Sequence, residues 1–241
     1  MRVRAFSLVF LGVLPYLAAC SRPAADADGP APPASGPSAP ATAPSPAPAS
    51  TTPRIIFLGD SLTAGLGLNV EQSFPSLIQE RLKTAGLPYE VVNAGVSGDT
   101  SAGALRRLDW AMADGSPRVL VVALGGNDGL RGLPPEQLEQ NLAAIIERGQ
   151  KRGLIVILAG MEAPPNFGAD YTARFRNVYP TLAKRYDVRL IPFLLDGVAG
   201  DRALNQPDGI HPNPRGARLV ADLVWRALEP ALAEARPTTP R

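Results

Sequence analysis

The sequence predicts a three-layer α/β/α sandwich built on a five-stranded parallel sheet. Three observations predict it. Short apolar runs alternate with longer amphipathic stretches from residue 54 to about residue 230. The runs are apolar at consecutive positions rather than at every second one, so both faces of each strand are buried. Each gap between runs is long enough for a crossover helix, and right-handed crossovers lay such helices on both faces of the sheet.

The elements follow in order. Residues 54–59 form the first buried strand, and residues 74–85 a helix with Leu77, Ile78 and Leu82 on one side, stopped by Gly86. Residues 90–94 form the second strand. Residues 101–113 form a helix with Leu105, Leu108 and Met112 aligned. The third strand, residues 119–124, ends in Gly125-Gly126-Asn127-Asp128. Residues 135–150 are helical, with Pro135 suited to a first turn. Residues 154–159 are the fourth strand, and residues 169–186 a helix that Pro180 should break or kink. Residues 189–193 are the fifth strand. Asn213 and Pro214 open a last helix ending near residue 228. No internal repeat is present.

The ends read differently. Arg2 and Arg4 precede an apolar stretch at residues 6–17, which is too short to span a bilayer and reads as a secretory signal. Leu17-Ala18-Ala19-Cys20 resembles a bacterial lipoprotein box, which implies cleavage after residue 19 and lipidation of Cys20. Ser21, where an aspartate is absent, implies by the same resemblance an outer-membrane address facing the periplasm. Residues 20–53 are Pro, Ala, Ser and Thr with almost nothing large and apolar, a composition that cannot offset its ordering entropy. At about 3.1 Å per residue, this tether reaches at most roughly 100 Å. The expected division is leader 1–19, tether 20–53, folded domain 54–230 and tail 231–241.

Composition excludes several classes. The chain has 241 residues, a formal net charge of +2 and 45% hydrophobic residues, enough for one domain with a real core. Its Lys and Arg are scattered rather than gathered in stripes, so no nucleic-acid partner is expected. One cysteine and one histidine allow neither an intrachain disulfide nor a Cys/His zinc site. No metal and no cofactor are expected.

In a parallel sheet the functional residues sit just beyond the carboxyl ends of the strands. That rule selects Ser61 in Gly59-Asp60-Ser61-Leu62, Gly98 in Val96-Ser97-Gly98-Asp99-Thr100, and Asn127. Ser61 is a nucleophile or a helix N-cap. Asn127 donates to an oxyanion or makes a turn. Gly98 turns its N–H toward a site or makes a plain turn. A serine nucleophile needs a base, and His211, in Asp208-Gly209-Ile210-His211-Pro212, is the single imidazole. In a compact turn the Asp208 carboxylate reaches that imidazole; otherwise Asp208 caps a turn and His211 lies on the surface.

Gly59-Asp60-Ser61-Leu62-Thr63, Gly98, Gly126-Asn127-Asp128 and Asp208-x-x-His211 together resemble the four sequence blocks of the SGNH, or GDSL-type, hydrolases. The resemblance runs from residue 54 to about residue 228. The surrounding residues resemble the branch containing bacterial acyl-CoA thioesterase I/lysophospholipase L1 and the arylesterases. It implies a flavodoxin-like fold and a serine esterase acting on a small ester or lipid-like substrate; the protein is expected to be a monomer. Ser61 would be nucleophile, His211 general base and Asp208 its orienting partner. Ser61, Gly98 and Asn127 would form the oxyanion hole, and Gly129, Leu130, Arg131, Gly132, Leu133 and Pro134 the substrate-contacting loop. The stretch Met161-Glu162-Ala163-Pro164-Pro165-Asn166-Phe167-Gly168 is more similar to the arylesterases, which leaves ester and thioester substrates both open. An O-acetylesterase on envelope glycans and an inactive tethered binding module are the alternatives. An α/β-hydrolase would need Gly-x-Ser-x-Gly, which no serine here has.

Overall fold

Strands β1 (Pro53–Gly59), β2 (Glu90–Gly95), β3 (Ser116–Ala123), β4 (Ile155–Ala159) and β5 (Arg189–Ile191) hydrogen-bond in the order β2-β1-β3-β4-β5 in a computed structural model of the chain. Every neighbouring pair is parallel. Residues 52–235 are described; the expected leader, Cys20, nearly all of the tether and residues 236–241 lie outside them. Ile55, Ile56, Phe57 and Leu58 in β1, and Val119, Leu120, Val121 and Val122 in β3, are all buried, which is why these runs show no alternation.

Helices cover both faces. α2 (Phe74–Thr84) and α7 (Pro214–Glu234) pack together on one side; α3 (Ser101–Ala111), α5 (Pro135–Lys151) and α6 (Ala169–Tyr186) pack together on the other. The strand order reverses direction between β1 and β3, and at such a switch point the loops leave the sheet on opposite faces and open a crevice. Two short helices stand at that crevice: α1 (Ser61–Ala64), directly after β1, and α4 (Gly126–Leu130), directly after β3.

Three expectations about elements need correction. α6 runs unbroken through Pro180. Pro180 is exposed, so the carbonyl it deprives of a donor lies on the solvent side, while buried Phe175, Val178, Tyr179 and Leu182 hold both halves against the sheet. α7 also continues through a proline, Pro230, because Ala231 and Leu232 are buried. The folded domain therefore extends past residue 230, and the first part of the expected tail is helix. β5 stops at Ile191 rather than residue 193, since Pro192 has no N–H to offer the ladder.

Candidate active site

Ser61 owes its position to Asp60. The Asp60 carboxylate accepts from the Leu62 N–H at 3.0 Å and caps α1, which places Ser61 at the first helical position. The N–H of a first helical residue has no acceptor in its own helix and faces the strand end. On the other side of the crevice Gly125 adopts φ 112° to start α4. A β-carbon there would come within 2.1 Å of the Tyr179 hydroxyl, which itself donates to the Leu124 carbonyl at 3.0 Å. Burial raises the Tyr179 phenol well above its ordinary value and keeps it a donor. Asn127 thus leaves the sheet on a helix start braced from α6.

His211 comes from a loop before α7. An antiparallel bridge joins Asn205 to Pro212, and the Gln206 N–H donates to the His211 carbonyl at 2.7 Å. The Gln206 side chain donates to the Leu66 carbonyl at 2.7 Å and the Pro212 carbonyl at 3.0 Å, fastening this loop to the segment that follows Ser61.

The Ser61 hydroxyl lies 2.9 Å from His211 Nε2, and His211 Nδ1 lies 2.7 Å from Asp208 Oδ2. The Asp208 Oδ1 accepts from the N–H groups of Ile210 at 2.9 Å and His211 at 3.0 Å. Asp208 therefore both caps the turn and engages the imidazole; the two readings of its spacing are one arrangement. The His211 and Ile210 N–H groups, with the imidazole, hold the Asp208 carboxyl down at about 2. A carboxylate facing Nδ1 favours the tautomer protonated on Nδ1, with Nε2 toward the Ser61 hydroxyl.

Asn127 Nδ2 donates to the Asp99 carbonyl at 2.9 Å and lies 3.4 Å from Asp60 Oδ2. Gly98, at φ 80°, has its carbonyl held by Arg131 at 2.8 Å. Asp60 is buried, and burial raises its carboxyl to about 6 against the opposing pull of the Leu62 N–H. Among the described residues no group of three His, Cys, Asp or Glu side chains is arranged to hold a metal.

A cleft of about 340 Å³ opens beside Ser61, Asn127 and His211. Leu130, Met161, Pro164, Phe193, Leu195 and Ile210 give it mostly apolar walls. Of residues 129–134, only Leu130 lines it. Gly129 packs on Phe175 and Ala163, Gly132 on Phe167, the Leu133 carbonyl accepts from Tyr171 at 2.8 Å, and Pro134 caps α5. The wall after β4, Met161 and Pro164, falls in the stretch whose sequence bears on substrate choice; the wall after β5, Phe193 and Leu195, has no motif and was missed, although the place rule for strand ends points to it. Arg107 was missed too. It falls on the stripe of Ala104, Leu108 and Ala111 in α3, and a charge within an apolar stripe is a readable signal.

The chain is 44% identical over 178 residues to esterase TesA of Pseudomonas aeruginosa, covering 74% of this chain and 89% of that protein. It is 37% identical over 182 residues to thioesterase 1/protease 1/lysophospholipase L1 of Escherichia coli, covering 76% of this chain and 86% of that one. A crystal structure of TesA superposes with a TM-score of 0.71 at 43% identity, covering 74% of this chain and 99% of that structure. Residues 57–219 match the model of the GDSL-like Lipase/Acylhydrolase family, and with the strand order, crevice and hydrogen-bond chain just described, this protein belongs to that family.

Proposed function

We propose that the chain hydrolyses carboxylic esters and thioesters through an acyl-enzyme on Ser61. The carrying observation is the unbroken chain of hydrogen bonds from Ser61 through His211 to Asp208, opening on an apolar cleft. His211 Nε2 takes the Ser61 proton as Oγ attacks the acyl carbonyl carbon. The carbonyl oxygen becomes an oxyanion, held by the Ser61 and Gly98 N–H groups and the Asn127 amide. The tetrahedral centre collapses, the bond to the leaving oxygen or sulfur breaks, and His211 returns its proton to the leaving group. Water, deprotonated by the same imidazole, then attacks the acyl-enzyme and releases the acid and Ser61.

The relatives named for ester, thioester and lysophospholipid hydrolysis support this substrate range. Leu130 is the one member of the expected substrate loop with access to the cleft. A rapid burst of p-nitrophenol, equal to the enzyme concentration, should precede the steady state, and a fluorophosphonate should label Ser61 alone. Normal turnover by Ser61→Ala would end this reading.

The sequence of the N-terminus extends the proposal to location: an exported monomer, lipidated on Cys20 and held at the periplasmic face of the outer membrane. Cys20→Ser should move the protein from the membrane to the soluble fraction. Retention on the membrane would exclude the lipid anchor.

A further inference from the structure

Arg107 spans the carboxyl ends of two strands with three donors. Nη2 donates to the Gly59 carbonyl at 2.9 Å, Nη1 to the Ala94 carbonyl at 2.8 Å, and Nε to Asp99 Oδ2 at 2.7 Å. Both side chains of the pair are poorly exposed, 18% for Arg107 and 13% for Asp99. Gly59 leads directly into Asp60 and Ser61. Asp99 directly follows Gly98, and its backbone carbonyl is the acceptor that holds Asn127 Nδ2. One guanidinium is therefore in contact with the segments that lead to Ser61 and from Gly98, and reaches Asn127 indirectly, through the Asp99 carbonyl.

We propose that the Arg107–Asp99 pair positions the oxyanion hole, acting chiefly through the Asp99 carbonyl on Asn127. This rests on the reading of Ser61, Gly98 and Asn127 as the oxyanion donors. The terminal torsion of an asparagine is broad, so its amide plane needs an external hold. One N–H on the Asp99 carbonyl supplies it; the other makes only a long contact to Asp60 Oδ2, 3.4 Å away, which an oxyanion can displace. The Asp99 backbone is held in turn by its N–H on the Val96 carbonyl at 3.1 Å and by its carboxylate on Arg107. An oxyanion donor acts only when fixed at hydrogen-bond distance from the developing charge, so each hold on Asp99 is a hold on the donor's aim.

Gly103 supports the same role. A β-carbon at this position of α3 would lie 1.7 Å from Asp99 Oδ1, so the carboxylate occupies the space of the missing side chain. Glycine inside a helix costs about 1 kcal/mol relative to alanine, and the close approach of Asp99 accounts for its presence here. Lysine at position 107 could not replace the planar fork, because a point charge cannot align three separated acceptors at once.

The test is a kinetic cycle on the full-length protein with p-nitrophenyl butyrate. Arg107→Lys and Gly103→Ala are each made alone and together with Asn127→Ala, with Tm recorded for all. Alone, each should lower kcat by roughly 10–100-fold with KM held within about threefold. In Gly103→Ala the gain in helix propensity offsets part of the cost of displacing the carboxylate, so Tm should fall by no more than about 5 °C and kcat measured well below Tm separates positioning from stability. With Asn127 already removed, either substitution should lower kcat by less than about threefold more. Equal losses in both backgrounds, a loss confined to KM, or wild-type kcat in Gly103→Ala would overturn the proposal. If Arg107→Lys does not fold, Gly103→Ala carries the test. Wild-type kcat in Asn127→Ala alone would overturn the oxyanion reading itself, and this proposal with it.

Discussion

The Ser61 hydroxyl and His211 Nε2 stand 2.9 Å apart although 150 residues separate them in the chain. His211 is the chain's single histidine, so no second imidazole can take over the proton. Ser61→Ala and His211→Ala should each lower kcat by about 10⁴-fold or more, and the double variant should lose little further, since the two act as a unit. Steady-state kinetics on p-nitrophenyl butyrate check this. Multiplying losses would mean that the two side chains work independently.

Asn127 contributes a single donor, so its removal should be milder. Asn127→Ala should lower kcat by about 10²–10³-fold while KM stays nearly unchanged, because the hydrogen bond strengthens only as the carbonyl oxygen gains charge. A change in KM with kcat retained would show that Asn127 binds ground-state substrate instead.

Much of this site was legible because its parts are local. Ser61, Gly98 and Asn127 each follow a strand, and strands buried on both faces announce themselves as continuous apolar runs. Asp208 and His211 are close enough in sequence for one turn to bring them together. What stayed hidden depends on long-range packing. Gln206 fastens the histidine loop to Leu66 through hydrogen bonds that no local pattern encodes. The cleft walls at Phe193 and Leu195 look like ordinary core residues until β5 is placed beside β4. Pro180 and Pro230 misled for a related reason. Burial of their neighbours outweighs one lost hydrogen bond on an exposed helix side, and burial is a property of the fold rather than of the dipeptide.

The apolar cleft predicts a graded response to acyl length. Each methylene buried contributes about 0.8 kcal/mol, a factor of about four in kcat/KM. A series of p-nitrophenyl esters should climb by that factor from acetate until the cleft fills, then level. Ala199 lines the cleft, and Ala199→Phe should move the plateau to shorter chains while acetate turnover stays within about threefold. An unchanged series would place the acyl chain elsewhere.

Asp60 carries the clearest pH signature. Its carboxyl is raised from 3.8 to about 6, first by burial and also by Asp128, against the Leu62 N–H and His211. Below about pH 4 both folded and unfolded chains hold this proton. Between that point and pH 6 the folded chain keeps a proton that the unfolded chain has released. Asp60 therefore contributes stability that is full below the ordinary carboxylate value and lost as pH rises through about 6. Raising the carboxyl from 3.8 to about 6 corresponds to about 3 kcal/mol. Asp208 behaves oppositely: held down at about 2, its contribution is present above 3.8 and lost as pH falls toward 2, so the two windows do not overlap. Asp60→Asn keeps an oxygen for the Leu62 N–H and removes the titration. Urea unfolding of both proteins from pH 4 to 7.5 should show wild type losing about 2–3 kcal/mol relative to the variant across that range. A constant difference between the two would mean that Asp60 is already ionised in the folded protein at pH 4.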